Sequence, residues 1–245
     1  MELLFELLGW FADPANWSGR DGLPGRLAEH VLISAAAVLI ALAIALPIAL
    51  YIGHTGRSSF LAISLTNVGR AVPSYAMLVI LFALFAQSTT NLGLLINGPI
   101  LLAMIALAIP PIVTNTYVGL RDVDRELVEA ARGMGMRGWQ VLRQVELPLA
   151  LPVILAGVRT ASVQVVATAA LGAVIGGGGL GRYIIQGMAR LDHPRLLAGA
   201  LLVALLAVGT ELLLGWLQRR TLSPGLLEPA HDAPLTGRPA GAVPR

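Results

Sequence analysis

Hydrophobic residues in this chain fall into long unbroken runs rather than into alternating or one-faced stripes. Five such runs, at about residues 31–52, 60–86, 95–119, 147–175 and 196–217, are separated by short polar stretches. At about 1.5 Å per residue each is long enough, as a helix, to cross roughly 30 Å of hydrocarbon. The pattern predicts an all-α fold, a polytopic transmembrane helical bundle of five spans. Asn67, Arg70 and Pro73 interrupt the second run, which is therefore one broken helix or two shorter ones, the latter giving six spans. Residues 1–30 read as an interfacial amino-terminal segment, because residues 1–10 carry two glutamates and no basic residue, unlike a secretory leader. Residues 31–220 form the membrane domain. From 221 to 245 the composition turns to Pro, Gly, Ala and scattered charge, which predicts a disordered tail.

One polar stretch has a pattern of its own. Between about 121 and 146, Asp122 or Asp124 can cap a helix with Glu126 and Glu129 near its start and with Val123, Leu127, Ala130, Ala131 and Met134 at helical spacing. Gly133, Gly135 and Gly138 then permit a sharp reversal, and a second short helix around Trp139, Leu142 and Val145 is expected to end at Pro148. A helix–turn–helix should project from the membrane here. The run of glycines at 176–179, followed by Leu180 and Gly181, reads instead as a flexible turn at the opposite face, since no lysine follows it and no strand precedes it as in a nucleotide loop. The segment 182–195 beyond it is either a plain connector or a surface for a soluble partner.

Polar groups inside the runs constrain the bundle further. Arg70, Arg159 and Glu211 would each cost about 2.5–3.5 kcal/mol or more if left unpaired in hydrocarbon. Glu211 lies about 9 Å from the end of its run, which suits an ion pair with an arginine. One acid and two arginines make no proton relay. Pro47, Pro73, Pro110, Pro111 and Pro152 kink helices that either line a pathway or only shape the packing.

Composition agrees with the runs: 56% hydrophobic and 13% charged residues over 245 positions, with mean hydropathy +0.76, describe an integral membrane protein. Cysteine is absent, and His30, His54, His193 and His231 are scattered, so neither a disulfide nor a metal site nor a cofactor is expected. Ser34, Ser74 and Ser162 have no histidine near them in a span interior, which argues against an intramembrane hydrolase. Every one of the 17 basic residues is arginine, clustered at span ends rather than in a nucleic-acid patch. With the amino terminus outside, Arg57, Arg121, Arg125, Arg132, Arg137, Arg143, Arg219 and Arg220 fall inside, against Arg20, Arg26, Arg182, Arg190 and Arg195 outside. That excess places the helix–turn–helix in the cytoplasm.

The sequence Glu129-Ala130-Ala131, then Gly135 after three residues and Val145-Glu146-Leu147-Pro148 after nine more, resembles the cytoplasmic loop signature of ABC importer permease subunits, with Val145 in place of isoleucine. Residues 133–136, 147–154, 156–161 and 177–181 are similar to the osmoprotectant branch of that family, which handles glycine betaine, carnitine or choline; Arg182 departs from the acid expected there. The resemblance implies a type I permease in the bacterial cytoplasmic (inner) membrane. Its implied partners are a cytoplasmic ABC ATPase dimer, a second permease copy or a paralogue, and a periplasmic or lipid-anchored solute-binding protein. It implies that Glu129, Ala130 and Ala131 seat in an ATPase groove, that Gly135 makes the turn, and that Leu147 and Pro148 anchor the hairpin to the next span. No Walker lysine motif occurs in the chain, so ATP hydrolysis would belong to another polypeptide. A cation-attracting aromatic cage is expected in the binding protein, since this chain is only 5% aromatic. Arg70, Tyr75, Tyr117, Arg159 and Glu211 are the candidates for polar groups of the pathway. Permeases for methionine, taurine or nitrate share the loop and are the alternative; an autonomous channel or ion-coupled carrier is the other.

Overall fold

The computed structural model describes residues 2–57, 60, 64, 73–85 and 98–221. Among the described residues the α-helices with defined bounds are α1 (Glu2–Ala12), α2 (Leu23–Thr55), α3 (Ser74–Phe85), α4 (Gly98–Arg121), α5 (Arg125–Gly133), α6 (Gly138–Val141), α7 (Leu147–Gly172), α8 (Gly181–Arg190) and α9 (His193–Thr221). A π-helical segment, Leu142–Glu146, joins α6 to α7. Among the described residues four helical rods are long and apolar enough to cross a membrane: Leu23–Thr55, Gly98–Arg121, Gly138–Ile175 and His193–Thr221. Of the expected second span the described residues include α3, whose 12 residues rise about 18 Å. Asn67 and Arg70 lie outside the described residues, as does the predicted tail.

Two boundaries differ from the sequence reading. The first span begins at Leu23 rather than near 31, because Gly22 in extended conformation ends the preceding loop and Pro24 sits in the first turn, where its missing N–H costs nothing. The helix of the hairpin's return does not end at Pro148 either. It runs on through the membrane, since the π segment widens the ladder just where Pro148 cannot donate, with the Leu147 N–H reaching the Leu142 carbonyl.

The core is built on close approach. Ala37, Ala41, Ala45 and Ala49 recur every four residues along one face of α2 and are fully buried against α4, whose Ile100, Met104, Ala108 and Ile112 are buried in the same cluster with Ala161 and Val165 of α7. Helices gain no hydrophobic drive from meeting one another inside lipid, so small residues that let backbones approach supply the dispersion contact instead. Glycines do the same at both ends. A Cβ on Gly53 would stand 2.6 Å from Leu120, and one on Gly172 would stand 3.0 Å from Ile100. Thus α2 and α4 run in one direction and α7 returns.

These directions sort the arginines. The ends at Thr55, Arg121, Gly138 and Thr221 share one face, which carries the eight arginines expected inside; the turns around Arg20, Arg26, Arg182, Arg190 and Arg195 share the other. On that second face α1 folds back, packing Trp10 edge-on against Tyr183 at 5.3 Å and joining Leu23, Leu180 and Ala198 in a separate apolar cluster.

Gly157→Ala tests the close approach, because its Cβ would lie 2.5 Å from that of Asn115 and 2.9 Å from the Pro111 carbonyl oxygen. We expect a loss of about 1–3 kcal/mol in thermal unfolding in detergent. Gly209→Ala, where nothing lies within 4 Å, should be neutral or stabilising by about 0.5–1 kcal/mol.

Candidate functional site

The helix–turn–helix forms as the sequence suggested, with Asp124 as the cap: its side chain accepts the Glu126 N–H at 2.9 Å. At the far end the Gly135 N–H donates to the Arg132 carbonyl (2.9 Å) and the Met136 N–H to the Ala131 carbonyl (3.2 Å). This is a Schellman closure, and it requires the left-handed backbone that Gly135 adopts at φ +86°. Gln140 then accepts the Arg137 N–H at 2.7 Å, starting the return limb.

The apolar positions of the hairpin divide. Val123 and Val128 pack with Leu120, Leu142, Ala150 and Ile154 against Leu46 and Leu50 of α2, and Leu147 joins them. Leu127, Met134 and Trp139 instead face outward, the last two 77% and 68% exposed, beside exposed Glu129 and Ala130. Ala131 was expected to lie on that outer surface, but only 2% of it is exposed, because it sits on the inner side of the helix. Pro148 is exposed and Leu147 half-buried, as suits an anchor at the start of the span.

Beneath the hairpin, Glu146 is buried and hydrogen-bonded to His54 at the last turn of α2, Nδ1 to Oε2 at 2.5 Å. Both line a polar cavity of about 280 Å³ with Arg121, Arg125, Glu129 and Arg132. The sequence reading passed over this pair, since 92 residues separate its members. Glu146 occupies the variable position of the loop signature.

Of the intramembrane charges, Arg159 and Glu211 are brought together. Arg159 Nε lies 3.0 Å from Glu211 Oε1, its guanidinium donates to Gln218 Oε1 at 3.5 Å, and Gln218 Nε2 donates to the Pro152 carbonyl at 3.1 Å. The chain α7–α9 is thereby clasped. Tyr75 is exposed on α3 and Tyr117 half-buried on α4.

At the face opposite the hairpin the glycine run is no loose turn. The Gly179 N–H donates to Glu29 Oε2 at 2.8 Å, and a Cβ on Gly178 would collide with that carboxylate. His30, 1% exposed, accepts the Leu180 N–H at Nδ1 (3.2 Å) and so donates from Nε2 to the Val166 carbonyl (2.9 Å). Arg26 bonds Glu29 at 2.8 Å and also Asp21. The Tyr183 hydroxyl donates to the Asp21 carbonyl at 2.9 Å; burial pushes this phenol's pKa up, against the pull of Arg26 and Arg195. Sequence inspection missed Glu29 and His30 because they precede the run that marked the span. Among the described residues no three His, Asp or Glu side chains converge as metal ligands.

Residues 37–223 match the family described as binding-protein-dependent transport system inner membrane component. The chain belongs to this family. It is a multi-pass membrane permease component, a transport subunit. Similar family members include the carnitine transport permease protein OpuCD of Listeria monocytogenes, 39% identical over 80% of this chain and 84% of its own length. The choline transport system permease protein OpuBD of Bacillus subtilis is 36% identical over 91% and 93%, and the osmoprotectant import permease protein OsmY of Salmonella typhimurium is 36% identical over 80% of each. Among solved structures, an inward-facing form of the MetNI methionine ABC transporter superposes with a TM-score of 0.68, covering 82% of this chain and 96% of that one; at 22% identity the likeness speaks for the fold.

The Arg159–Glu211 clasp predicts an asymmetric mutational response. Glu211→Leu alone strands a cation at membrane depth and should destabilise the protein by about 2.5–3.5 kcal/mol. Arg159→Met combined with Glu211→Leu should recover most of that loss, measured by thermal unfolding in lipid nanodiscs.

Proposed function

We propose that this permease carries a small compatible solute of the glycine betaine, carnitine and choline class into a bacterial cell across the cytoplasmic (inner) membrane, driven by a separate ABC ATPase. The observation that carries the reading is the outer face of the hairpin. Glu129 and Ala130, flanked by exposed Leu127, Met134 and Trp139, form a small charge-tipped ridge with an apolar border, at the end of the bundle rich in arginine. A capped and closed hairpin of this kind suits insertion into a groove on a soluble motor. Gly135 sets the reversal, Ala131 packs the inner side, and Leu147 and Pro148 carry the hairpin onto the fourth span.

The rest of the assembly follows from the same reading. Two permeases, identical or paralogous, enclose the pathway; two ATPases sit beneath; a periplasmic or lipid-anchored binding protein delivers solute from the other face. The solute class is supported by the similarity of most of this chain to carnitine, choline and osmoprotectant permeases. Tyr75 and Tyr117 are proposed to face the passing cation, ring faces being attractive to a quaternary ammonium that donates no hydrogen bond. Arg159 and Glu211 are proposed to act as a paired polar element of the bundle, with Arg70 a further pathway candidate.

A pull-down of wild-type protein beside Glu129→Arg tests the motor seat. An ATP-hydrolysing polypeptide should co-purify with the wild type, and at least about tenfold less with the variant, equivalent to about 1.4 kcal/mol; its absence from the wild type would favour an autonomous carrier or channel. Uptake competition should show choline, carnitine or glycine betaine displacing one another, with methionine, taurine and nitrate without effect.

A further inference from the structure

We propose that the His54–Glu146 hydrogen bond is the link through which displacement of the hairpin is passed to the first span, and that both side chains are positioning residues of the transport cycle. The inference rests on the reading of the hairpin as the seat of the ATPase.

The surroundings of the pair set it apart from ordinary packing. The hairpin is continuous with α7 through one helical rod, Gly138–Ile175, so any push on it reaches that span through the backbone. Its connection to α2 is different: no backbone joins them nearby, and the contacts are the apolar ones of Val128, Leu142 and Leu147 on Leu46 and Leu50. Apolar contacts are non-directional and tolerate sliding. Among the described residues, His54 to Glu146 is the one side-chain hydrogen bond between α2 and the hairpin with its return limb, and it holds a fixed register.

Register there is set by the backbone. Glu146 closes the π segment, whose extra residue per turn rotates the return limb relative to α7 by about 100°. His54 is the next-to-last residue of α2, just before Gly56 closes the helix at φ +68°, its N–H donating to the Ile52 carbonyl at 2.9 Å. The imidazole also lies 3.4 Å from where a Cβ on Gly138 would be, so the start of the return limb leaves room for the ring. Stability alone gives little reason for the pair, since apolar residues of similar volume often replace a buried ionisable pair without loss. A carboxylate at 6% exposure, bonded to the imidazole at the wall of a cavity also lined by Arg121, Arg125 and Arg132, makes sense as a directional tie.

The absence of cysteine allows a clean test. Spin labels at Tyr51→Cys on α2 and Arg143→Cys on the return limb, both on exposed residues, report the distance between the two elements in the full complex in nanodiscs. In the wild-type background, trapping with magnesium, ATP and vanadate should leave this distance unchanged. With His54→Leu and Glu146→Leu together, which keeps the site filled and leaves neither partner stranded, the co-purified ATPase should be retained and the distance should shift by about 2 Å or more on trapping. Exchange of the two residues, His54→Glu with Glu146→His, should restore the constant distance. A constant distance in the double-leucine protein overturns the inference while the ATPase reading stands. If no ATPase accompanies the wild-type protein, the reading beneath it fails, and the inference with it.

Discussion

The approach of α4 to α2 and α7 is the constraint from which the remaining geometry follows. Inside a bilayer the solvent is as apolar as leucine, so neither helix is driven onto α4 by loss of water. What holds them is the density of contact that alanine and glycine permit, at Ala37, Ala41, Ala45, Ala49 and Gly53 on one side and Gly119, Gly157 and Gly172 on the other. α4 is accordingly the most enclosed of the spans, whereas α9 presents most of its surface outward. Because α4 ends at Arg121 and the cap of the hairpin helix follows at Asp124, the aim of the hairpin is fixed by where the last turn of α4 can sit. Gly53 against Leu120 fixes that turn.

The hairpin then inherits two kinds of attachment. Its return limb is the beginning of a 38-residue helical rod, stiff along its length and interrupted only by the π segment. Its outgoing limb is short, capped at both ends, and joined to the bundle through Val123, Val128 and buried Ala131. A body held in this way moves as a unit with the rod. The exposed ridge of Glu129 and Ala130 is free of these attachments, which is the arrangement a docking element requires.

Much of this was legible in the sequence, for identifiable reasons. Spans are read from length alone, and the cap at Asp124 and the reversal at Gly135 are local chemistry that no distant residue overrides. The sorting of the arginines onto two opposite faces was legible because they lie next to span ends. What was not legible depends on long-range pairing. Glu29 and His30 meet residues about 150 positions away, and His54 meets Glu146 across 92. Pro148 misled for a related reason: proline ends a helix only when nothing re-forms the ladder around it, and the π turn does so here. The glycine run misled because glycine marks close approach as often as looseness, and at Gly178 the approach is to a carboxylate.

The two ends of α2 explain which motions the bundle can make cheaply. At the outer end Glu29 and His30 accept two backbone N–H groups that follow α7, and His30 also donates into α7 at Val166. Parting α2 from α7 there would strand these groups, including an imidazole that is now fully buried, and each stranded polar group costs about 1–3 kcal/mol. At the inner end the alanine contacts and Gly53 resist the same separation, and the His54–Glu146 hydrogen bond holds the register along it. By contrast α9 meets α7 through a half-exposed clasp and a few polar side chains. Rearrangement of low cost therefore keeps α2, α4 and α7 together and displaces them as one body against α9 or against whatever covers their outer faces. Motion of the bundle is thus cheapest between such bodies, with its small-residue core left intact.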